Sequence, residues 1–106
     1  MGKHIHLFLI RNNDDLTKLN QVISTHNNKT DFANEEVCFC FFLQHNGKTY
    51  AECFSHTPSD ESNRLFAEAF PLGYYSPLSK PKWWHSQNYT ELKFEGEQLF
   101  PLDPLP

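Results

Sequence analysis

The feature that most constrains the fold of this chain is the Asn46-Gly47 pair, which lies between two runs of alternating apolar residues. Both central residues of a type I′ turn need a positive φ, and Asn and Gly adopt it more readily than other residues. The sequence therefore predicts a β-hairpin over residues 36–56. Facing residues lie equally far from such a turn, which predicts that Leu43 faces Tyr50, Phe41 faces Glu52, Cys40 faces Cys53 and Phe39 faces Phe54.

The residues before the hairpin predict a strand and a helix. Residues 3–10 alternate and are apolar on both sides, which is typical of a central strand. Residues 12–15 offer a helix cap followed by carboxylates suited to a first turn. One face of an amphipathic helix of about three turns follows, with apolar positions at Leu16, Leu19, Val22 and Ile23 and with His26 at its end.

The residues after the hairpin predict a second helix, a long loop and a last strand. Thr57 and Pro58 suit a helix cap and a first helical position, and the predicted apolar stripe is Leu65, Phe66, Ala69 and Phe70. Residues 74–88 contain two prolines and show no periodicity, which indicates a loop. Residues 89–95 alternate again and predict a strand, whereas residues 96–106 form a Pro-rich C-terminal tail.

The order of these elements is β-α-β-β-α-β, and its most economical packing is a ferredoxin-like α+β fold. We expect one domain over residues 1–106, with a four-stranded antiparallel sheet and two helices on one face. In this arrangement the first strand lies between the third and the fourth. The fold supports no functional conclusion by itself, because many unrelated functions share it.

The alternation divides the predicted sheet into two faces. The face toward the helices is predicted to carry Ile5, Leu7, Leu9, Val37, Phe39, Phe41, Leu43, Tyr50 and Phe54. The opposite face is predicted to carry His4, His6, Phe8, Cys38, Cys40, Phe42, Ala51, Cys53 and Ser55. The expected core consists of Leu7, Leu19, Phe39, Phe41, Leu43, Phe54, Leu65, Phe66 and Phe70.

The face away from the helices brings imidazoles and thiols together, and these groups suit zinc. The candidate metal ligands are His4, His6, Cys40 and Cys53. A plain sheet face with buried cysteines is the favoured alternative, and a Cys40–Cys53 disulfide is a third. We therefore predict no metal site and no cofactor. Catalysis by a thiol is not favoured either, since each cysteine lies in the middle of a predicted strand and none lies at a helix start, where the pKa of a thiol falls.

The loop over residues 74–88 holds the candidate binding residues Tyr75, Trp83 and Trp84. Large rigid rings are typical anchors of protein interfaces, although a Trp can equally close the open end of a small core. Glu91, Glu95 and Glu97 follow close behind in the sequence. They form either an ordinary solvated face or an acidic patch for a basic partner.

The net charge of −4 argues against direct binding of nucleic acid. The longest apolar run near the start is too short for a membrane span or a signal peptide, and the three cysteines suit a reduced cytoplasmic protein. We therefore predict a small acidic binding protein that acts by stoichiometric occlusion of a basic protein. A toxin or nuclease is the expected partner, and the chain would be its immunity protein or another inhibitor. The alternative is a small enzyme or metal-binding domain that uses the His/Cys face; the oligomeric state stays open.

Overall fold

The structure, a computed structural model, describes residues 4–29, 36–56 and 59–92. These residues form an α+β fold with a five-stranded antiparallel sheet and three helices. In chain order the elements are β1 (His4–Ile10), α1 (Asn13–Asn27), β2 (Cys38–His45), β3 (Lys48–Ser55), α2 (Asp60–Ala69), β4 (Tyr74–Tyr75), α3 (Lys82–His85) and β5 (Thr90–Leu92). The strands lie in the order β4-β1-β3-β2-β5. None of the helices in these ranges is long and apolar enough to span a membrane.

Both long helices begin where polar side chains satisfy their first backbone N–H groups. Asn12 Oδ1 accepts a 2.9 Å hydrogen bond from the Asp15 N–H at the start of α1, as the sequence predicted. At α2 the cap is Ser59 rather than the predicted Thr57, because the Ser59 hydroxyl accepts from the Ser62 N–H while the Ser62 hydroxyl accepts from the Ser59 N–H. This reciprocal pair fixes the start of α2.

The Asn46-Gly47 turn forms as predicted, with φ values of 53° and 77°. Leu43 faces Tyr50 and Phe41 faces Glu52, which confirms the register near the turn. Farther from the turn the predicted pairs are wrong. A β-bulge between Phe39 and Phe41 inserts Cys40 as an extra residue, so that Cys53 faces Phe39 and Phe54 faces Cys38.

The bulge and the helices assign the two faces of the sheet differently from the prediction. The helices cover Phe8, Phe42, Ala51 and Cys53, which pack with Leu16, Leu19, Phe66 and Phe70. Leu7, Leu43 and Tyr50 form a second buried cluster on the opposite face. We call this opposite side the second face. The predicted orientation of β1, of β3 and of the part of β2 between the bulge and the turn is therefore wrong. A sheet that is apolar on both sides does not reveal which side the helices cover.

The predicted core is confirmed in part. Leu7, Leu19, Leu43, Phe66 and Phe70 are buried, although they belong to two clusters rather than one. Three further members, Phe41, Phe54 and Leu65, are only half-buried. Phe39 is 42% exposed and is not a core residue.

The two edge strands differ from the ferredoxin-like order. β1 does lie between β3 and another strand, but that strand is β4, which comes from the predicted loop. The predicted last strand contributes β5, which pairs with β2 instead. Gly73 permits this arrangement, since its carbonyl accepts from the Leu9 N–H at 2.7 Å and a Cβ there would lie 2.5 Å from the Leu9 Cβ.

Residues 76–89 run from β4 at one edge of the sheet to β5 at the other edge. We call this segment, which includes α3, the strap. Its two tryptophans pack on the second buried cluster, so the strap crosses the second face. The sheet is thus covered by α1 and α2 on one side and by the strap on the other. The predicted tail over residues 96–106 lies outside the described residues.

Candidate functional site

Trp84 joins the strap to the middle of the sheet. Its indole N–H donates a 2.6 Å hydrogen bond to the Glu52 carboxylate on β3, and Glu52 is only 5% exposed. The Lys80 ammonium lies 4.8 Å from the centre of the Trp84 ring and donates to the carbonyls of Ile5 and Pro77 at 3.0 and 2.8 Å. Burial lowers the pKa of Lys80, and the Glu52 carboxylate partly opposes this shift. The strap is therefore held on both β1 and β3.

Trp83 joins the strap to the end of β2. Its ring stacks on the His45 imidazole with centroids 4.1 Å apart and an interplanar angle of 7°. The rings of Tyr50 and Tyr89 lie at 5.0 and 6.1 Å. His45 Nδ1 donates to the Asn88 carbonyl at 2.8 Å, which adds a polar contact beside the stack. The strap thus contacts three different strands through side chains of different chemistry.

The predicted aromatic anchors Tyr75, Trp83 and Trp84 all lie on the second face and are half-buried. Both indoles contact the sheet. One side of each ring packs against the protein, and the rest of the ring surface is exposed to solvent. Their predicted role in binding a partner stays a prediction.

Only one of the three predicted acidic binding residues can be placed. Glu91 on β5 is exposed and faces Leu43 across the strand pair, so its side chain lies on the side of the strap. Glu95 and Glu97 lie outside the described residues. Glu91 therefore lies beside the strap, and the acidic patch stays a prediction.

The strap also presents an apolar residue that sequence reasoning missed. Leu78 is 94% exposed in a turn closed by the Ser79 N–H, which donates to the Ser76 carbonyl at 3.1 Å. The hydroxyls of Ser76 and Ser79 are hydrogen-bonded at 2.8 Å, and the Lys80 ammonium binds the Pro77 carbonyl. Pro77 favours a turn at this position, but the exposure of Leu78 depends on how the turn packs against the sheet.

A second exposed leucine, Leu72, is 84% exposed in the turn before β4. It borders a surface cavity of about 110 Å³ lined by Leu9, Arg11, Lys18, Phe70, Pro71, Leu72 and Gly73. The Arg11 guanidinium there is already bonded to Asp15, with Nε 2.9 Å from Oδ2, and it lowers the pKa of that carboxyl. Leu72 therefore offers a matched comparison for Leu78 outside the strap.

His6, a candidate metal ligand, uses both ring nitrogens inside the protein. Tyr74 Oη lies 2.7 Å from Nδ1 and donates to Asn63 Oδ1, so Nδ1 carries the proton that Tyr74 accepts. Ser55 Oγ then donates to Nε2 at 2.9 Å. Burial, followed by the charge of Lys80, lowers the pKa of His6 to about 3. His6 is a neutral structural residue between β1, β3 and α2.

Of the other candidate ligands, Cys53 faces His6 across β1 and β3, but the set does not form a metal site. His4 is exposed, whereas Cys53 is fully buried opposite His6 on the helix side of the sheet, and Cys40 lies in the bulge. Burial raises the pKa of the Cys53 thiol, which disfavours the reactive thiolate. None of the three cysteines is in a disulfide. In residues 4–29, 36–56 and 59–92, no group of three or more His, Cys, Asp or Glu side chains is placed to hold a metal ion.

No protein-family model matches this chain, and neither a curated protein nor a solved structure is significantly similar to it.

Proposed function

We propose that this chain is a stoichiometric protein-binding domain that acts by occlusion and contacts its partner through the strap. The observation that carries this proposal is Leu78, an almost fully exposed apolar side chain on a hydrogen-bonded turn. We define the strap surface as Leu78 together with the half-buried Tyr75, Trp83 and Trp84 and the exposed Glu91.

The strap surface has the physical properties of an interface anchor. Burying a leucine side chain contributes about 1.5–3 kcal/mol. The turn around Leu78 is already closed by hydrogen bonds, so little conformational entropy remains to be lost on binding. Trp and Tyr are enriched among the residues that dominate binding energy, and here the sheet holds Trp83 and Trp84 in fixed orientations through His45 and Glu52.

The proposed partner is a basic protein such as a toxin or nuclease, with the chain as its immunity protein or another inhibitor in the cytoplasm. The net charge of −4 supports this choice, because opposite net charges speed diffusional encounter. The alternative of an enzyme or metal-binding domain gains no support from His6 and Cys53, which lie buried beneath the helices.

Site-specific photo-crosslinking tests the contact surface. A photoreactive phenylalanine replaces Leu78 in one variant and Leu72 in a matched variant, and both are produced in the native host. We expect one discrete protein adduct from position 78, none of that mass from position 72, and a 1:1 complex of the purified pair by native mass spectrometry. We also expect added chain to abolish the activity of the captured protein at equimolar ratio. Equal adducts from both positions, or none from position 78, would contradict the proposal.

A further inference from the structure

The strap carries a charge opposite to that of the chain as a whole. The 22 residues between Glu68 and Glu91 include no carboxylate but do include Lys80 and Lys82. This stretch therefore carries +2 in a chain of net charge −4, so the rest of the chain carries −6. The most exposed apolar side chain of the strap, Leu78, lies within the same stretch.

The two lysines of the strap differ in their exposure. Lys80 is half-buried and bonded to the carbonyls of Ile5 and Pro77, so it serves the fold. Lys82 and His85, at the two ends of α3, are exposed. The carboxylate below α3, that of Glu52, is buried and holds the Trp84 indole. The strap thus offers an exposed apolar side chain, Leu78, and one exposed ammonium group, that of Lys82.

We infer that the strap binds an apolar pocket bordered by carboxylates on the partner protein, with Leu78 entering the pocket and Lys82 facing the carboxylates. This inference rests on the proposed function and names the chemistry of the surface that the strap contacts. A basic pocket at this position would bring like charges together and leave Lys82 desolvated without a counter-charge, which is costly in a docked interface.

Net charge and local charge act over different distances. At physiological ionic strength, exposed charges are largely screened beyond about 8 Å. The overall charge of the chain therefore influences encounter, whereas Lys82 acts on groups that it touches in the complex. A partner that is basic overall, with carboxylates bordering the pocket opposite Lys82 and a basic group opposite Glu91, satisfies both conditions.

A phosphate backbone is the other anionic surface that lysines and indoles can bind, but the charge of the whole chain opposes it. Binding of nucleic acid depends on many neutralised phosphates, and the −6 carried outside the strap repels a polyanion. An acidic pocket on a protein requires only that its carboxylates lie opposite Lys82. The observations therefore favour a protein surface.

Carbodiimide cross-linking tests the inference, because this reagent joins an amine to a carboxylate that touches it. It is applied to the complex of this chain with the protein captured through position 78. We expect an amide between Lys82 and an Asp or Glu of that protein, identified by peptide mass spectrometry. K82E should weaken binding about tenfold, whereas K82R, which keeps the charge, should stay within twofold of the unmodified chain. K29E is the matched charge reversal at an exposed lysine just after α1 and should also stay within twofold.

The outcomes separate the inference from the proposed function. If position 78 captures a protein but K82E binds it as tightly as K29E does, the carboxylate-bordered pocket is refuted and the binding function stands. If position 78 captures no protein, the proposed function fails and the inference fails with it. Saturable binding of a 20-nucleotide oligo-dT that K82E abolishes and K29E preserves would overturn the inference in favour of a nucleic-acid surface.

Discussion

The Trp84 indole and the Glu52 carboxylate form a 2.6 Å hydrogen bond that ties the strap to the centre of the sheet. Trp84→Phe keeps an aromatic ring but removes the donor, leaving one hydrogen bond of a buried carboxylate unmade. We expect this change to lower the free energy of unfolding by about 1–3 kcal/mol, measured by urea denaturation. Trp83→Phe is the control, since the Trp83 contacts described above are ring contacts. Equal losses in the two variants would contradict the proposed importance of the Trp84–Glu52 bond.

The buried His6 predicts a loss of stability in acid. Its pKa is about 3 in the folded chain and about 6.5 in an unfolded one, so the unfolded state binds more protons between these pH values. Stability therefore falls as the pH is lowered below 6.5, by about 2–3 kcal/mol at pH 4.5 from this group alone. His6→Gln should flatten the pH dependence of denaturation, whereas His4→Gln, at an exposed position, should leave it unchanged. A His6 imidazole that NMR shows titrating above pH 5 would contradict this prediction.

The observed burial predicts which phenylalanines matter for stability. Phe8 is fully buried and packs edge-on against Phe66 and Phe70, so Phe8→Ala should cost about 3–5 kcal/mol. Phe39 is largely exposed, and Phe39→Ala should cost less than about 1 kcal/mol. Chemical denaturation of the two variants under identical conditions measures the difference. A larger loss at Phe39 would instead support the core predicted from the sequence.

A substitution at Gly73 tests the close approach of β4 to β1. An alanine Cβ would lie 2.5 Å from the Leu9 Cβ, so Gly73→Ala forces β4 away from β1 or displaces Leu9. We expect a loss of about 1–3 kcal/mol and faster amide hydrogen exchange at Leu9, whose N–H binds the Gly73 carbonyl. Gly47→Ala provides the comparison, because its site has open space and its cost comes only from the positive φ. Unchanged exchange at Leu9 in Gly73→Ala would argue against the close approach.

Local signals in the sequence predicted the hairpin turn and the start of α1 correctly. Asn46-Gly47 and Asn12 act through their own backbone preferences and near neighbours, so their positions can be inferred without tertiary structure. The bulge at Cys40 is different. It adds one residue to a strand whose composition suits either register, and the alternation of polarity does not reveal it.

The face of the sheet that the helices cover could not be predicted from periodicity either. His6 and Phe8 alternate with Leu7 and Leu9, and the packing of distant helices decides which set they bury. For the candidate site, composition identified Trp83 and Trp84 but not their contacts with His45 and Glu52, which are distant in sequence. Leu78 was missed because one isolated leucine shows no pattern.

The route of the strap has a consequence for the order in which the protein is completed during synthesis. Residues 4–56 contain the three central strands, and their second face includes Leu7, Leu43 and Tyr50. The segment that covers this cluster and supplies both edge strands, residues 74–92, is synthesised after them. A nascent chain that ends before Tyr74 therefore presents an open apolar sheet with unpaired edges, a surface prone to association with other chains. Completion of the strap both finishes the fold and ends this period of exposure.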